Sequence, residues 1–95
     1  MNFEPKPWYL YIARCDDNSF YTGVTTDVKR RIEEHNAGTG AKYTRGRNPV
    51  ELIYCQKYPD QSTAQVEEAR IKKLNRKQKE LLVSEKLLEK FNEQG

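Results

Sequence analysis

The stretch FYTGVTTDVKRRIEEHN, residues 20–36, changes character along its length. It begins with aromatic and β-branched residues that favour a strand, and it ends with charged residues that favour a helix. In the helical half, Asp27, Arg31 and His35 are spaced four apart, so they share one face of the helix. The stretch therefore predicts a tyrosine at the end of a strand, facing an arginine and the only histidine of the chain.

The composition is that of one small polar domain. The chain has 95 residues, 33% of them charged, and its mean hydropathy is −1.00. No apolar run approaches the roughly 20 residues that span a membrane, and no basic segment followed by an apolar run marks a signal peptide. Cys15 and Cys55 have no neighbouring cluster of cysteine and histidine, so we expect two reduced thiols in a cytoplasmic protein.

Basic residues gather in two segments, 29–47 and 70–79, and the second contains no acidic residue. Local positive fields on an otherwise mixed surface suit a polyanionic partner such as nucleic acid. The alternative is that these cations belong to solvated helix faces.

The residue pattern predicts three strands and three helices in the order β-β-α-β-α-α, an α+β domain with a three-stranded sheet. The strands are expected at 8–14, 20–24 and 50–58. The first helix is expected to end at Asn36 to Gly38, the second to run from Ser62 to about Leu74, and the third to begin after Asn75. The first helix is expected to be capped by Thr25 or Thr26, the second by a capping box of Ser62 and Gln65, and the third by Asn75 with Gln78. Ser84 is expected to kink or divide the third helix.

Strand alternation decides which way the tyrosines point. Leu10 and Ile12 share one face of the first strand, and the apolar residues of the second strand also share a face. If those faces build the core, Tyr11 and Tyr21 project together from the opposite side of the sheet. On the later helix, Glu67 and Glu68 both fall on or beside the apolar stripe, and helical phase does not choose between them.

These motifs together resemble the GIY-YIG nuclease domain. The similarity lies in YLY at 9–11, YTG at 21–23, Arg31 ten residues after the second tyrosine, His35 four residues later, and EEARIKKL at 67–74. The first motif has a tyrosine where the family usually has glycine, and the second has threonine for isoleucine. The wider pattern resembles the small single-domain bacterial branch of this superfamily. We therefore expect one domain over 1–95, with a core at about 8–83 and a helical extension at 84–95.

The resemblance implies a three-stranded antiparallel sheet flanked by helices and the hydrolysis of phosphodiester bonds with one divalent metal, Mg²⁺ or Mn²⁺. It implies an endonuclease acting on structured or branched DNA, as in DNA repair, and it assigns the metal-binding acid to Glu68. Arg31 would neutralise the phosphate, and His35 would orient a tyrosine or accept a proton. Tyr11 and Tyr21 would hold the attacking water, and either could be the general base.

Each of these residues also has a plain structural interpretation. The tyrosines could be packing residues, Arg31 could pair with Asp27, His35 could simply end a helix, and Glu68 could pair with Lys72. Nucleic-acid contacts are expected at Lys42, Tyr43, Arg45, Arg47, Lys72, Lys73, Arg76 and Lys77, and Thr44 is expected in the same substrate-facing loop.

Two other functions remain open at this stage. One is a nucleic-acid-binding module of the same fold that does not cut, and the other is a protein-interaction domain that uses the leucines of the C-terminal helix. The sequence does not separate DNA from RNA. We expect a monomer that does not bind a membrane. A protein partner could direct it to its substrate.

Overall fold

The computed structural model describes residues 6–94, with side chains for residues 6–89. In this part of the chain three strands and three α-helices follow one another in the predicted order β-β-α-β-α-α. They are β1 (Trp8–Arg14), β2 (Phe20–Thr25), α1 (Val28–Asn36), β3 (Glu51–Tyr58), α2 (Gln61–Lys72) and α3 (Arg76–Gln94), with a short 3₁₀ turn at Lys42–Thr44. The predicted fold class is confirmed.

The three strands form one antiparallel sheet in the order β2-β1-β3. β1 is therefore the central strand, and β2 and β3 are the edges. The turn between β1 and β2 is tight because Asn18 adopts a left-handed conformation with φ 68°, which asparagine tolerates better than most residues. Tyr11 lies directly opposite Gly23 across the β1–β2 pair.

The two faces of the sheet carry different clusters. On one face, Leu10, Ile12 and Tyr54 pack with Ile71 of α2. The other face holds Tyr11, Ala13, Cys15 and Val50, and Tyr21 packs there with Val28 and Ile32 of α1. We call these the α2 face and the α1 face. The prediction that Tyr11 and Tyr21 share the side opposite Leu10 and Ile12 is confirmed.

Two of the predicted helix caps are wrong. Asp27, not Thr25 or Thr26, is the N-cap of α1, and its carboxylate accepts the Arg30 backbone N–H at 3.0 Å. In α2, Asp60 takes the place of the predicted Ser62–Gln65 box and accepts the Thr63 N–H at 2.8 Å. Each aspartate precedes its helix, where a carboxylate also interacts favourably with the helix dipole.

The start of α3 is as predicted. Asn75 and Gln78 exchange hydrogen bonds between side chain and backbone, at 3.0 Å and 2.9 Å, which is a reciprocal cap. α2 ends at Lys72 rather than at about Leu74, and α3 passes through Ser84 as one helix, so the predicted division at Ser84 is wrong. Leu82 and Val83, just before Ser84, pack against the core and hold α3 on the sheet.

No helix in the described part of the chain is long and apolar enough to cross a membrane. Cys15 and Cys55, which both lie within the described residues, are not joined by a disulfide.

Candidate active site

The phenol of Tyr11 occupies the centre of the α1 face. The residue is 1% exposed, although it carries a polar hydroxyl. Its ring lies over Gly23 on the neighbouring strand, and a Cβ at position 23 would come within 2.7 Å of Tyr11 Oη. Since Gly23 has no side chain, the hydroxyl can reach toward the β2 edge of the sheet.

His35 meets this hydroxyl from the last turn of α1. The imidazole is fully buried, and its Nε2 lies 2.8 Å from Tyr11 Oη. On the other side of the ring, Nδ1 lies 2.8 Å from Thr44 Oγ1 and accepts the Ala41 backbone N–H at 3.3 Å. The Thr44 hydroxyl in turn donates to the Ala41 carbonyl at 2.9 Å. His35 is thus held by Thr44 on one side of its ring and joined to Tyr11 by a buried hydrogen bond on the other.

Thr44 and Gly40 hold His35 in place, and the sequence did not indicate either role. Thr44 was expected in a substrate-facing loop, but it is fully buried beneath the imidazole. A Cβ at Gly40 would lie 2.3 Å from His35 Nδ1, so only glycine allows the loop to close over the ring. The glycine-rich run that follows His35 was the one local signal of this close approach.

Tyr21 stands at the rim of the same cluster. Its ring centroid lies 6.2 Å from that of Tyr11 and 5.2 Å from that of His35, which it meets edge-on. Tyr43, which is 41% exposed, stacks on it at 6.0 Å with an interplanar angle of 22°. Tyr21 is half-buried, so its side chain joins the buried cluster to the surface.

Arg31 approaches Tyr11 from α1, one turn before His35. Its guanidinium lies close enough to the Tyr11 phenol to lower the pKa of that group. Its ion-pair partner is Glu34 at 3.1 Å, not Asp27, because the carboxylate of Asp27 caps the helix instead. The oxygen of Tyr11 thus has a hydrogen-bond partner in His35 and a fixed positive charge nearby in Arg31.

The ionisation of the site follows from these neighbours. Burial raises the pKa of Tyr11 to about 12, although the hydrogen bond and charge of Arg31 pull that pKa down. Burial also lowers the pKa of His35, and the positive charge of Arg31 lowers it further. At neutral pH the resting site therefore holds a neutral phenol and a neutral imidazole beside a fixed cation.

Glu67 and Glu68 face different parts of the molecule. The side chain of Glu68 is 21% exposed, lies 3.4 Å from Lys72, and carries a charge that adds to the rise in the pKa of Tyr11. Glu67 forms an ion pair with Arg70 at 2.7 Å. The pKa of Tyr58 on β3 is raised mainly by burial and, second, by the charge of Glu67. Glu68 is thus the glutamate on the side of the tyrosine cluster.

The donors available here fit only one kind of metal site. Among the described residues, no group of three or more histidine, cysteine, aspartate or glutamate side chains could enclose a metal ion. Mg²⁺ is commonly bound by one or two carboxylates, with waters and substrate phosphates completing its coordination. Glu68, a half-buried carboxylate beside the site, fits that arrangement.

The predicted nucleic-acid contacts divide into two groups. Exposed side chains occur at Lys42, Arg45, Lys72, Lys73 and Lys77. Arg47 instead pairs with Asp17 at 3.0 Å and lies over the Tyr43 ring at 4.2 Å. The guanidinium of Arg76 lies 3.6 Å from the centroid of the Phe20 ring and donates to the Asn18 carbonyl at 2.7 Å. Both arginines already have partners within the fold.

The fold and the tyrosine cluster define a GIY-YIG catalytic domain, the domain of a nuclease family, and the chain belongs to this family: the family model of that description matches residues 7–81. The chain is 54% identical over 74 residues to UPF0213 protein VNG_2274C of Halobacterium salinarum, covering 78% of this chain and 96% of that protein. It is 47% identical over 79 residues to UPF0213 protein YhbQ of Escherichia coli K12, covering 83% and 79% of the two chains.

Two solution structures are also similar. Protein EF2693 of E. faecalis is 48% identical with a TM-score of 0.62, over 90% of this chain and 91% of that one. The UPF0213 protein BH0048 of Bacillus halodurans is 50% identical with a TM-score of 0.55, over 82% and 83%. These relatives extend the similarity across most of the chain.

Proposed function

We propose that the protein is a divalent-metal-dependent endonuclease that hydrolyses phosphodiester bonds in structured or branched DNA. One observation carries the proposal: a buried phenol oxygen, Tyr11 Oη, is hydrogen-bonded with His35 and feels the charge of Arg31, beside a second tyrosine and a half-buried glutamate. A tyrosine that served only for packing would not need both a histidine and an arginine directed at its oxygen.

Tyr11 is the general base in this proposal. In hydrolysis the water oxygen bonds to phosphorus, the bond from phosphorus to O3′ breaks, and the water gives up a proton. The charge of Arg31 stabilises negative charge on the Tyr11 oxygen, and His35 Nε2 lies 2.8 Å from that oxygen, so the phenolate can take that proton. The resting phenol, with a pKa of about 12, first loses its own proton to solvent.

The neighbouring residues bind and orient the substrate. The guanidinium of Arg31 keeps its charge at all relevant pH values and can stabilise the phosphate as negative charge grows on its oxygens. Tyr21, at the rim of the cluster, can hold the attacking water. Glu68 would hold the divalent ion, which when bound supplies Lewis-acid stabilisation of the leaving oxygen.

The surface around the site supports a polyanionic substrate. The side chains of Lys42 and Arg45 are exposed on the loop that carries Tyr43, and those of Lys73 and Lys77 are exposed near the junction of α2 and α3. We propose that Lys42 and Arg45 bind phosphates and that Lys73 and Lys77 add to the positive field around the site. We also propose that the chain works as one domain and as a cytoplasmic monomer, and that a protein partner supplies targeting.

The test is incubation of the purified protein with labelled branched, flapped, single-stranded and duplex DNA, and with RNA of matched structure, in Mn²⁺ and in EDTA. Glu68→Gln and Glu67→Gln provide a matched pair. We expect cleavage that needs the metal, is lost in Glu68→Gln and persists in Glu67→Gln. Glutamine keeps the side-chain shape but loses the charge, and the ion pair with Lys72, whose own side chain is exposed, contributes only about 0–1 kcal/mol to folding.

Four results would change the proposal. Normal cutting by folded Glu68→Gln would remove the metal role, and loss of cutting only in Glu67→Gln would move that role to its neighbour. Binding without any cutting would favour a nucleic-acid-binding module. A protein-interaction domain would show no steep loss of DNA affinity with salt, since that loss is the mark of phosphate contacts.

A further inference from the structure

A shallow groove of about 230 Å³ opens beside Tyr21 at the β2 edge of the sheet. It is lined by Phe20, Tyr21, Thr22, Tyr43, Lys72 and Lys79. Its walls are aromatic, and its two charged groups are lysines that come from different helices, α2 and α3. The groove begins at a residue of the tyrosine cluster, so a ligand in it would lie next to the phosphate that is cut.

Lys79 is the unusual member of this groove. Its side chain is half-buried, whereas Lys73 and Lys77 in the same basic segment are exposed. The ion pairs among the described residues leave Lys79 without an acidic partner. A half-buried ammonium without a counter-ion loses hydration and gains nothing from the fold in return.

The position of Lys79 in α3 adds to this cost. Its backbone N–H bonds to the Asn75 carbonyl at 3.1 Å, which places it in the first turn. The helix dipole makes that end positive, and the first turn contains no acidic residue. Arg76, in the same turn, is stabilised by an ion pair with Glu80, a hydrogen bond to the Asn18 carbonyl and a contact with the Phe20 ring. Within the described part of the chain, the side chain of Lys79 makes no hydrogen bond, ion pair or ring contact of this kind, and an anion in the groove would supply one.

Lys72 links the groove to the catalytic side of the site. It lines the groove and lies 3.4 Å from Glu68, the candidate metal ligand. A phosphate between Lys72 and Lys79 would therefore lie close to Glu68 and Tyr21 but apart from the phosphate bound by Arg31.

We propose that Lys79 and Lys72 form a subsite for the phosphate that neighbours the scissile phosphate. The inference rests on the proposed function and refines it, because it identifies which lysines of the 70–79 segment contact the backbone beside the cut. Lys73 and Lys77, whose side chains do not line the groove, then contribute only to the general positive field.

The experiment measures binding of a labelled branched DNA in EDTA, so that no cutting occurs. Single phosphates around the cut site, or along the whole probe if none is cut, are replaced one at a time by neutral methylphosphonates. The proteins are wild type, Lys79→Gln, and Lys77→Gln as the matched control from the same turn of α3. Lys79→Arg retains the charge and serves as the rescue variant, and thermal melting checks that each variant is folded.

We expect one methylphosphonate to weaken binding of wild type, Lys77→Gln and Lys79→Arg by several-fold and to have a clearly smaller effect on Lys79→Gln, in which only Lys72 remains at the subsite. The salt dependence of Lys79→Gln should also fall by about one phosphate contact. Equal sensitivity of Lys79→Gln and Lys77→Gln at every phosphate, or no binding of the probe by wild type, would overturn the subsite. If Lys79→Gln showed this smaller response to one methylphosphonate but the protein cut none of the substrates, the proposed nuclease function would be wrong and the phosphate subsite would be supported.

Discussion

The phenol of Tyr11 lies across Gly23, its direct partner on β2, and a Cβ at that position would come within 2.7 Å of Tyr11 Oη. The motif YTG at 21–23 thus has two roles. It provides Tyr21, and at Gly23 it provides a position without a side chain. The oxygen reaches His35 and Arg31 only because β2 has a gap at this point.

We predict that Gly23→Ala moves the Tyr11 hydroxyl and lowers the cleavage rate. A displacement of about 1 Å in a catalytic group can cost on the order of 100-fold, so we expect a loss of that size. Single-turnover cleavage measures it. Val24→Ala is the control, since Val24 packs on the α2 face and its truncation affects stability without touching Tyr11. Cleavage by Gly23→Ala at the wild-type rate would show that the hydroxyl position is not critical.

The sequence predicted the parts of the site that follow from local periodicity. Strand alternation placed Tyr11 and Tyr21 on one side, and the spacing of four placed Arg31 and His35 on one face of α1. It did not identify Thr44 or Gly40, because their role depends on how a loop folds back over His35. Such a contact leaves no periodic pattern.

The helix caps and the two glutamates show a different limit. Aspartate, serine and threonine all favour the N-cap, so neighbouring candidates compete and small differences in backbone geometry decide among them. Glu67 and Glu68 are adjacent on a helix, and periodicity leaves both beside the apolar stripe. Only the packing of α2 directs one toward Tyr58 and the other toward Tyr11.

We predict that Thr44→Val loosens His35 and thereby weakens the support of Tyr11. Valine keeps the shape of threonine but removes the hydroxyl that lies 2.8 Å from His35 Nδ1. We expect a loss of stability of about 1 kcal/mol and a several-fold fall in kcat with KM nearly unchanged. Thr39→Val, on the exposed side of the same loop, is the control. If both variants had the same kcat, Thr44 would have no positioning role.

The protein should become less stable as the pH falls below about 6.5. Burial holds the pKa of His35 below its ordinary value of 6.5 in the folded protein. Below 6.5 the unfolded chain binds a proton that the folded chain does not, so the free energy of unfolding decreases until the pH reaches the folded pKa, and above 6.5 this contribution is constant.

Denaturant unfolding at pH 7.5, 6.5 and 5.5 measures this dependence. The slope below 6.5 should approach about 1.4 kcal/mol per pH unit at most. His35 is the only histidine, so His35→Gln should flatten the slope in this window. A wild-type protein equally stable at 6.5 and 5.5 would contradict a buried neutral imidazole.

The pH dependence of cleavage distinguishes Tyr11 from His35 as the base. A base with a pKa of about 12 is mostly protonated at neutral pH, so the rate should rise about tenfold per pH unit from pH 7 to 9. A histidine whose pKa lies below 6.5 would already be deprotonated, and the rate would level off above neutral pH. Tyr11→Phe should lower the rate by about 10²–10⁴-fold while DNA affinity is retained, whereas Tyr9→Phe, on the same strand, should cut normally. A rate that is flat above pH 7, or a Tyr11→Phe variant that keeps the wild-type profile, would assign the proton to another residue.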